Sequence, residues 1–479
     1  MAYRGLISAG GPVANRELFF LRDLPRALHG SVVFSPGAVA AEEKAVRAIA
    51  IDSRTCREGA LFVALPGENT DGHLFLAEAF RAGAVAALVQ EEKPAGVDEA
   101  TQPLVRVADT LRALQELAQW YARTALGSPV RIGITGSNGK TTTKEMVASI
   151  LRCAAPTSAS PGNLNSETGV PLAIFETDPE SRYAVFEMAM SNPGEMEPLA
   201  EMIQPQYAII TNTGSAHIGL LGSREAIARE KKAIASRFDG SQCLLIPEGD
   251  AFTGFLADSI RGTVKLFGPE TQRVNLDASS SPDRVIITGA ESFSVPLGGY
   301  HNGLNALAAI ALAKELGIPD TAIQEGLNAV SLPPGRSEII RGAAGRIILN
   351  DCYNANPDSM LAALQAVHGL HTSRSRSGEK VGQLVLILGA MKELGDSTAE
   401  GHALVLRRAR SLSPEVICVV GESEWATAAD GTVRVFPGVT DLMAGLPDIL
   451  GPDQTILLKG SRSIALEHIL PCLREDGNA

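Results

Sequence analysis

Apolar residues along the chain recur with two different periods. Leu18, Leu21, Leu24 and Leu28 are spaced three or four apart, which predicts a helix near the start. The same spacing returns over Thr110–Ala125, where Leu111, Leu114, Leu117, Ala118 and Tyr121 share a face. Between them Leu61-Phe62-Val63-Ala64-Leu65 is an unbroken apolar run of strand length, and the turn signal Gly127-Ser128-Pro129 closes a first block, 1–128. A second block, 129–333, opens with the apolar run Val130–Ile134, a glycine-rich turn, and a helix carrying Met146, Val147, Ile150 and Leu151 on one face. Short apolar runs follow at Tyr183–Met188, Tyr207–Thr211 and Cys243–Ile246, and a helix is expected over Asn302–Leu316. Pro333-Pro334-Gly335 introduces a third block, 334–479. There, strands at Arg346–Asp351, Leu384–Leu388, Val416–Val420 and Ile456–Lys459 alternate with helical stretches after Pro357, Thr398, Thr440 and Ser461. Alternation of this kind predicts an α/β protein with mostly parallel sheets. The polar stretch His371–Lys380 reads as an exposed loop with a solvated Arg/Lys content.

Composition narrows the class. A chain of 479 residues exceeds one core, since single hydrophobic cores stop growing near ~250–300 residues, so two or three domains are expected. A formal charge of -12 argues against a nucleic-acid surface, which would concentrate Lys and Arg, so any polyanion must be held at a local site. Cys56, Cys153, Cys243, Cys352, Cys418 and Cys472 lie far apart without a CxxC pair and read as reduced thiols of a cytoplasmic protein. The first residues carry Arg4, Arg16 and Glu17 and no sustained apolar core, which is not a signal-peptide pattern. No run approaches the ~20 apolar residues of a membrane span.

The sharpest chemical signal is Gly133-Ile134-Thr135-Gly136-Ser137-Asn138-Gly139-Lys140-Thr141-Thr142, set between a predicted strand and a predicted helix. Glycines let backbone N–H groups wrap phosphate oxygens, and the helix N-terminus adds positive potential. Lys140 is expected on the β- and γ-phosphates of a nucleotide, and Thr141 on Mg²⁺. The common template is not met in full, because Ile134 stands where its first glycine would be. Glu187 and His217 follow short strands of the same predicted sheet, where ligands collect at the carboxyl edge.

Thr135–Thr142 (TGSNGKTT) resembles the ATP loop of the Mur ligase family, a family of three-domain ATP-dependent ligases, and further matches cover nearly the whole chain except the first fifteen or so residues. The resemblance implies an N-terminal UDP-substrate-binding α/β domain, a central P-loop-type ATPase domain and a C-terminal Rossmann-like domain. It implies ATP contacts from Gly136 through Thr142, two Mg²⁺ ions held with Thr141, Glu187 and the His217 of Ala216-His217, and a carbamylated lysine at Lys231, with Lys232 as the alternative register. Asn302 and Asn305, in His301-Asn302-Gly303-Leu304-Asn305-Ala306, would face the adenine side. Arg336 would reach the phosphates and Asp351 the ribose. Asp52-Ser53-Arg54 and the Asp71-Gly72-His73 turn look like the family's UDP-binding segments, with Ser53 and Arg54 near the nucleotide.

Substrate choice rests on other stretches. Asp351-Cys352-Tyr353-Asn354-Ala355-Asn356-Pro357-Asp358-Ser359, Leu388–His402 and Leu458–Ser463 resemble the D-alanyl-D-alanine-adding branch, which implies substrate contacts from Asn163, Tyr353, Asn354, Asn356, Lys459 and Ser461. The implied reactants are a UDP-muramoyl-tripeptide and D-alanyl-D-alanine, joined through an acyl phosphate by a monomeric enzyme that binds no nucleic acid. Two positions depart from the pattern: Lys392, where an apolar residue is commoner, and Ser166, where Asn is expected. A sister ligase adding a single amino acid, a folylpolyglutamate synthetase-like enzyme and a P-loop ATPase acting as a switch remain the alternatives.

Overall fold

The six strands of the central sheet run parallel in the order Thr263–Phe267, Cys243–Pro247, Tyr207–Ile210, Val130–Thr135, Tyr183–Glu187, Thr157–Ala159. Their middle members are buried on both faces, which is why they read as unbroken apolar runs and not as alternations. The structure, a computed structural model, describes residues 16–30, 32–67, 70–90, 97–278, 283–425 and 432–474. The first fifteen residues, for which no counterpart was expected, lie outside these.

A second sheet in the first block has the order Val33–Phe34, Leu104–Arg106, Ala84–Val89, Ala60–Val63, Ala48–Ala50, antiparallel only at its first pair. The third block forms a six-stranded sheet, Glu338–Arg341, Ile347–Asn350, Thr455–Lys459, Leu384–Gly389, Val416–Val420, Arg434–Phe436, again antiparallel only at its first pair. The three expected α/β domains are therefore present. A small antiparallel sheet, Asn275–Asp277, Val285–Thr288 and Ser292–Val295, was not anticipated; its strands are three or four residues long, too short to stand out by pattern.

Two expectations need correction. The leucines at 18, 21, 24 and 28 are all buried, yet they do not lie on one helix. Phe19–Phe20 pairs as a strand with Ala45–Val46, a 3₁₀ turn covers Leu21–Asp23, and only Leu24–Ala27 is α-helical. Pro25 explains this: a helix running through it would lose a hydrogen bond and clash with the preceding turn, whereas proline is accepted at a helix start. The stretch His371–Lys380 is likewise only half a loop. The helix Pro357–Arg376 runs into it, and Arg374 is 6% exposed. The Arg374 guanidinium donates to the carbonyls of Gly345 (3.3 Å), Asp453 (3.2 Å) and Gln454 (3.4 Å), to Thr455 Oγ1 (2.9 Å) and to the Glu379 carboxylate (3.1 Å). An arginine that ties the edge of a sheet to the end of a helix looks, in sequence, like a solvated one. Arg374→Ala is expected to lower unfolding free energy by about 3 kcal/mol, seen as a fall in the urea midpoint, because it leaves buried carbonyls unpaired.

The domains are joined unequally. The amphipathic helix Thr110–Thr124 buries Leu114, Leu117, Ala118 and Tyr121 in an apolar core that continues into Val170, Ile174 and Phe175 of the central domain. Tyr121 packs 5.1 Å from the Phe175 ring, and its hydroxyl accepts from Arg16 at 2.8 Å. Contacts between the central and third domains are mostly polar: Asn138 to Asn356, Ser215 to Asp358 and His217 to Glu393, with Ile218 the central-domain residue packed on the third domain's core. Continuous apolar burial makes the first joint stiff, and the second can open at small hydrophobic cost.

Candidate functional site

Because the central strands are parallel, their carboxyl ends open on one edge, and the loop after Val130–Thr135 meets the residues that follow its two neighbours. The loop enters the helix Lys140–Arg152, whose N-terminus carries positive potential. Two of its glycines are obligatory. Gly136 has φ 150° and a Cβ there would lie 1.8 Å from Thr211 Oγ1; Gly139 has φ 80° and a Cβ would lie 2.3 Å from Asn305 Oδ1. Thr211 and Asn212, at the end of the adjoining strand, brace the turn: Asn138 N donates to Asn212 Oδ1 (3.0 Å), while Thr211 Oγ1 (2.6 Å) and Asn212 Nδ2 (3.0 Å) donate to the Asn138 carbonyl.

Lys140 folds back over this loop, its ammonium donating to the carbonyls of Gly136 (2.8 Å) and Ser137 (3.4 Å). Desolvation is the chief cause holding it below its ordinary pKa, with the Arg336 charge adding and Glu187 opposing. Glu187 is buried, and its two oxygens accept from Thr141 Oγ1 and from Asn165 Nδ2, both at 2.7 Å. Lys231 is 2% exposed at the end of the helix Arg224–Lys232; burial, and then the Lys140 charge, shift it well below the ordinary lysine value, toward the free amine. Lys232 instead donates to the Phe255 carbonyl at 2.9 Å and sits over that ring. Of the two adjacent lysines, Lys231 is therefore the buried one.

His217 has a left-handed backbone (φ 61°), and its Nδ1 lies 2.7 Å from Glu393 of the third domain, which holds the Glu393 carboxyl below its ordinary range. Arg336 stacks 3.9 Å above the Tyr353 ring, and its buried Nε has no partner. Lys459, 2% exposed, donates to Asp351 Oδ2 (2.7 Å) and to the Asn354 carbonyl (3.0 Å). Ser337 N donates to Asp351 Oδ1 at 3.0 Å. Asn356 caps the helix Pro357–Arg376 and also donates to Asn138 Oδ1 at 2.8 Å, so it touches the glycine loop directly.

These side chains enclose a cavity of about 830 Å³ between the central and third domains, lined by Ser137 through Thr142, Glu187, His217, Asn305, Arg336, Asp351, Tyr353, Asn354, Asn356 and Lys459. Its donors suit a phosphate chain: loop amides, the Lys140 ammonium, the Arg336 guanidinium with its unpartnered buried Nε, and the unpartnered Ser137 Oγ. Among the described residues no group of three or more His, Cys, Asp or Glu converges as a ready-made metal cage. Thr141 and Glu187 nevertheless offer the hard oxygens that Mg²⁺ takes while keeping water and phosphate ligands.

Not every expected residue comes to this place. Ser53 and Arg54 lie on the first domain, where Arg54 pairs with Asp52. Asn163 is exposed and outside the cavity wall, which Asn165 and Ser166 form instead. Asn302 turns into its own helix start, donating to the Gly298 carbonyl at 2.7 Å. Ser461 is 4% exposed, and its hydroxyl accepts from Lys392 N at 2.9 Å. Thr211, Asn212, Asn165 and Glu393 were missed. Asn165 stands between Asn163 and Ser166, and Glu393 inside Leu388–His402.

Comparison with known proteins gives concordant matches. The model of the Mur ligase family, catalytic domain, fits residues 45–121. The Mur ligase middle domain fits 134–313, and the Mur ligase, glutamate ligase domain, fits 335–462. A UDP-N-acetylmuramoyl-tripeptide--D-alanyl-D-alanine ligase from Treponema pallidum is 39% identical over 89% of this chain and 94% of its own. A crystal structure of MurF from Acinetobacter baumannii superposes with a TM-score of 0.84 at 30% identity, covering 97% of this chain and 100% of the other. The MurF ligase of Thermotoga maritima in complex with ADP gives 0.75 at 26% identity, covering 89% and 97%.

Proposed function

The chain belongs to the Mur ligase family, and from that premise we propose that it joins D-alanyl-D-alanine to UDP-N-acetylmuramoyl-tripeptide, forming the pentapeptide precursor of peptidoglycan with release of ADP and phosphate. The observation that carries this reading is the convergence of the glycine loop, Glu187 and Lys140 from one domain with Arg336, Asp351 and Tyr353 from another around a single cavity. Those residues suit activation of a carboxylate. Loop amides, Lys140 and Arg336 hold the phosphate oxygens and stabilise charge as the γ-phosphoryl group passes to the carboxylate ending the tripeptide. The amine of the dipeptide then attacks the acyl phosphate and expels phosphate, with no covalent enzyme intermediate. Thr141, Glu187, His217 and a carbamate on Lys231 would hold two Mg²⁺ ions, which offset charge on the transferring oxygens. Lys231 fits that modification, since a buried lysine shifted toward the free amine is the nucleophile that carbon dioxide requires.

Asp351, oriented by Lys459 and Ser337 N, takes the ribose hydroxyls, and Asn305, against the loop, the adenine side, with Asn302 supporting it. Ser53 and Arg54 read the UDP moiety. Asn163, Tyr353, Asn354, Asn356, Lys459 and Ser461 are assigned to the peptide side, Asn356 and Ser461 through the loops that they pin. Domain limits of 1–128, 129–333 and 334–479, a monomeric state and a cytoplasmic location complete the reading; no helix among the described residues is long and apolar enough to cross a membrane. The polar joint before the third domain supports closure over the reactants, which would keep water from the acyl phosphate.

Incubation with ATP, Mg²⁺, UDP-muramoyl-tripeptide and D-alanyl-D-alanine is expected to yield the pentapeptide by mass. Product formation with a single amino acid in place of the dipeptide would instead favour a sister ligase, and phosphate release without any acceptor would favour a nucleotide switch.

A further inference from the structure

Lys392 and Glu393 are consecutive yet reach different places. Glu393, with a left-handed φ of 65°, meets His217 at the wall of the phosphate cavity. Lys392 ion-pairs with Glu424 over a separate open recess of about 550 Å³, lined also by Gly421, Ser423, Pro437 and Ile464. Its backbone N–H is anchored on Ser461 Oγ, two residues past the strand that carries Lys459 into the main cavity. Both cavities thus open at the carboxyl edge of the third sheet, and this two-residue step bridges them. Phosphoryl transfer uses neither residue.

The acceptor, on the function proposed above, is a zwitterion. Its amine must lie beside the acyl phosphate, and its carboxylate, about 7 Å away in an extended dipeptide, is best placed apart from the phosphates and against a cation. Of the neighbouring cations, Lys140 is held by its loop, Lys459 by Asp351, Arg224 by the Thr213 carbonyl and Arg336 by the Tyr353 face; Arg462, like Lys392, pairs with a carboxylate at the surface, but Lys392 is the cation that lines the second recess. Lys392 is half exposed while its partner Glu424 is 16% exposed, so the ammonium, which has three donors, can keep Glu424 and still turn a free N–H toward a second carboxylate in the recess. We propose that Lys392 determines specificity for the free carboxylate of the dipeptide acceptor. The Ser423 hydroxyl, which donates to Glu424 Oε2 at 2.7 Å in this structure, turns to the substrate as the second donor; Pro437 and Ile464 receive the terminal methyl group, and the amine end falls on the Glu393 side.

The test is steady-state kinetics at saturating ATP and nucleotide precursor, with D-alanyl-D-alanine compared against its C-terminal amide. The unmodified enzyme is expected to show a KM about tenfold higher for the amide, the effect of losing one charge-assisted contact. Lys392→Met is expected to raise the KM for the acid to that of the amide while leaving the KM for ATP and for the precursor unchanged; Lys392→Arg is expected to keep the preference. The proposal is overturned by an unmodified enzyme indifferent to the amide, by a Lys392→Met variant that keeps the preference, or by a rise in KM for the precursor instead. Absence of pentapeptide from the unmodified enzyme would be a separate failure, that of the ligase reading itself.

Discussion

Replacing Lys140 by alanine is expected to reduce turnover about a thousandfold, roughly 4 kcal/mol of transition-state stabilisation, with the fold intact. Its ammonium rests on two carbonyls of its own loop, at 2.8 and 3.4 Å, and a phosphate oxygen would replace them as an anionic partner. Burial makes that exchange consequential: a desolvated cation interacts more strongly with charge that develops in its reach than a hydrated one does. Lys140→Arg should fare little better, because a planar fork of donors does not replace the single ammonium that folds back onto the Gly136 and Ser137 carbonyls. ADP formation with all reactants present is the measurement. A Lys140→Ala enzyme forming ADP at the original rate would remove the loop from the chemistry.

Lys231→Ala is expected to lose about a hundredfold in activity, the scale on which groups supporting a metal site act, and to recover when short carboxylates are added. The lysine is buried, is pushed toward its uncharged form, and feels Lys140, whereas Lys232, one residue on, reaches the Phe255 carbonyl. Lys232→Ala should therefore leave turnover near its starting value. The Mg²⁺ dependence discriminates further: the Lys231 variant should need more Mg²⁺ for half-maximal activity, and acetate should shift that requirement back. Full activity of the unrescued Lys231→Ala enzyme would remove the carbamate.

The closure expected of the third domain has a visible basis in the two joints. Small-angle scattering should report smaller dimensions with ATP and nucleotide precursor than without them; unchanged dimensions would count against it. The first joint shares an apolar core and should move as one body with the central domain.

Much of the site was legible locally. The glycine loop, Lys140 and Thr141 occupy adjacent positions whose geometry follows from one strand, one turn and one helix, so their meaning survives without the rest of the chain. Arg336 and Asp351 came instead from the family resemblance, which assigned them to the phosphates and the ribose. The unbroken runs Tyr183–Glu187, Leu384–Gly389 and Val416–Val420 marked parallel, doubly covered strands because burial on both faces leaves no polar alternation to read.

Other features depended on which strand lies beside which. Thr211 and Asn212 brace a loop 73 and 74 residues away, and Asn356 reaches across 218 residues to Asn138. Arg374 stands in a stretch of charged and polar residues, yet carbonyls from two other segments strip it of water. Lys231 and Lys232 are identical in kind, and only the packing of their helix decides which is desolvated. The sequence alone determined the central parallel strands, the long amphipathic helix and the glycine-rich turn, since these arise from hydrogen bonding and sterics within a few residues. Tertiary structure alone decided which polar groups are paired, buried or brought to the cavity, because desolvation and charge proximity depend on neighbours that are distant along the chain.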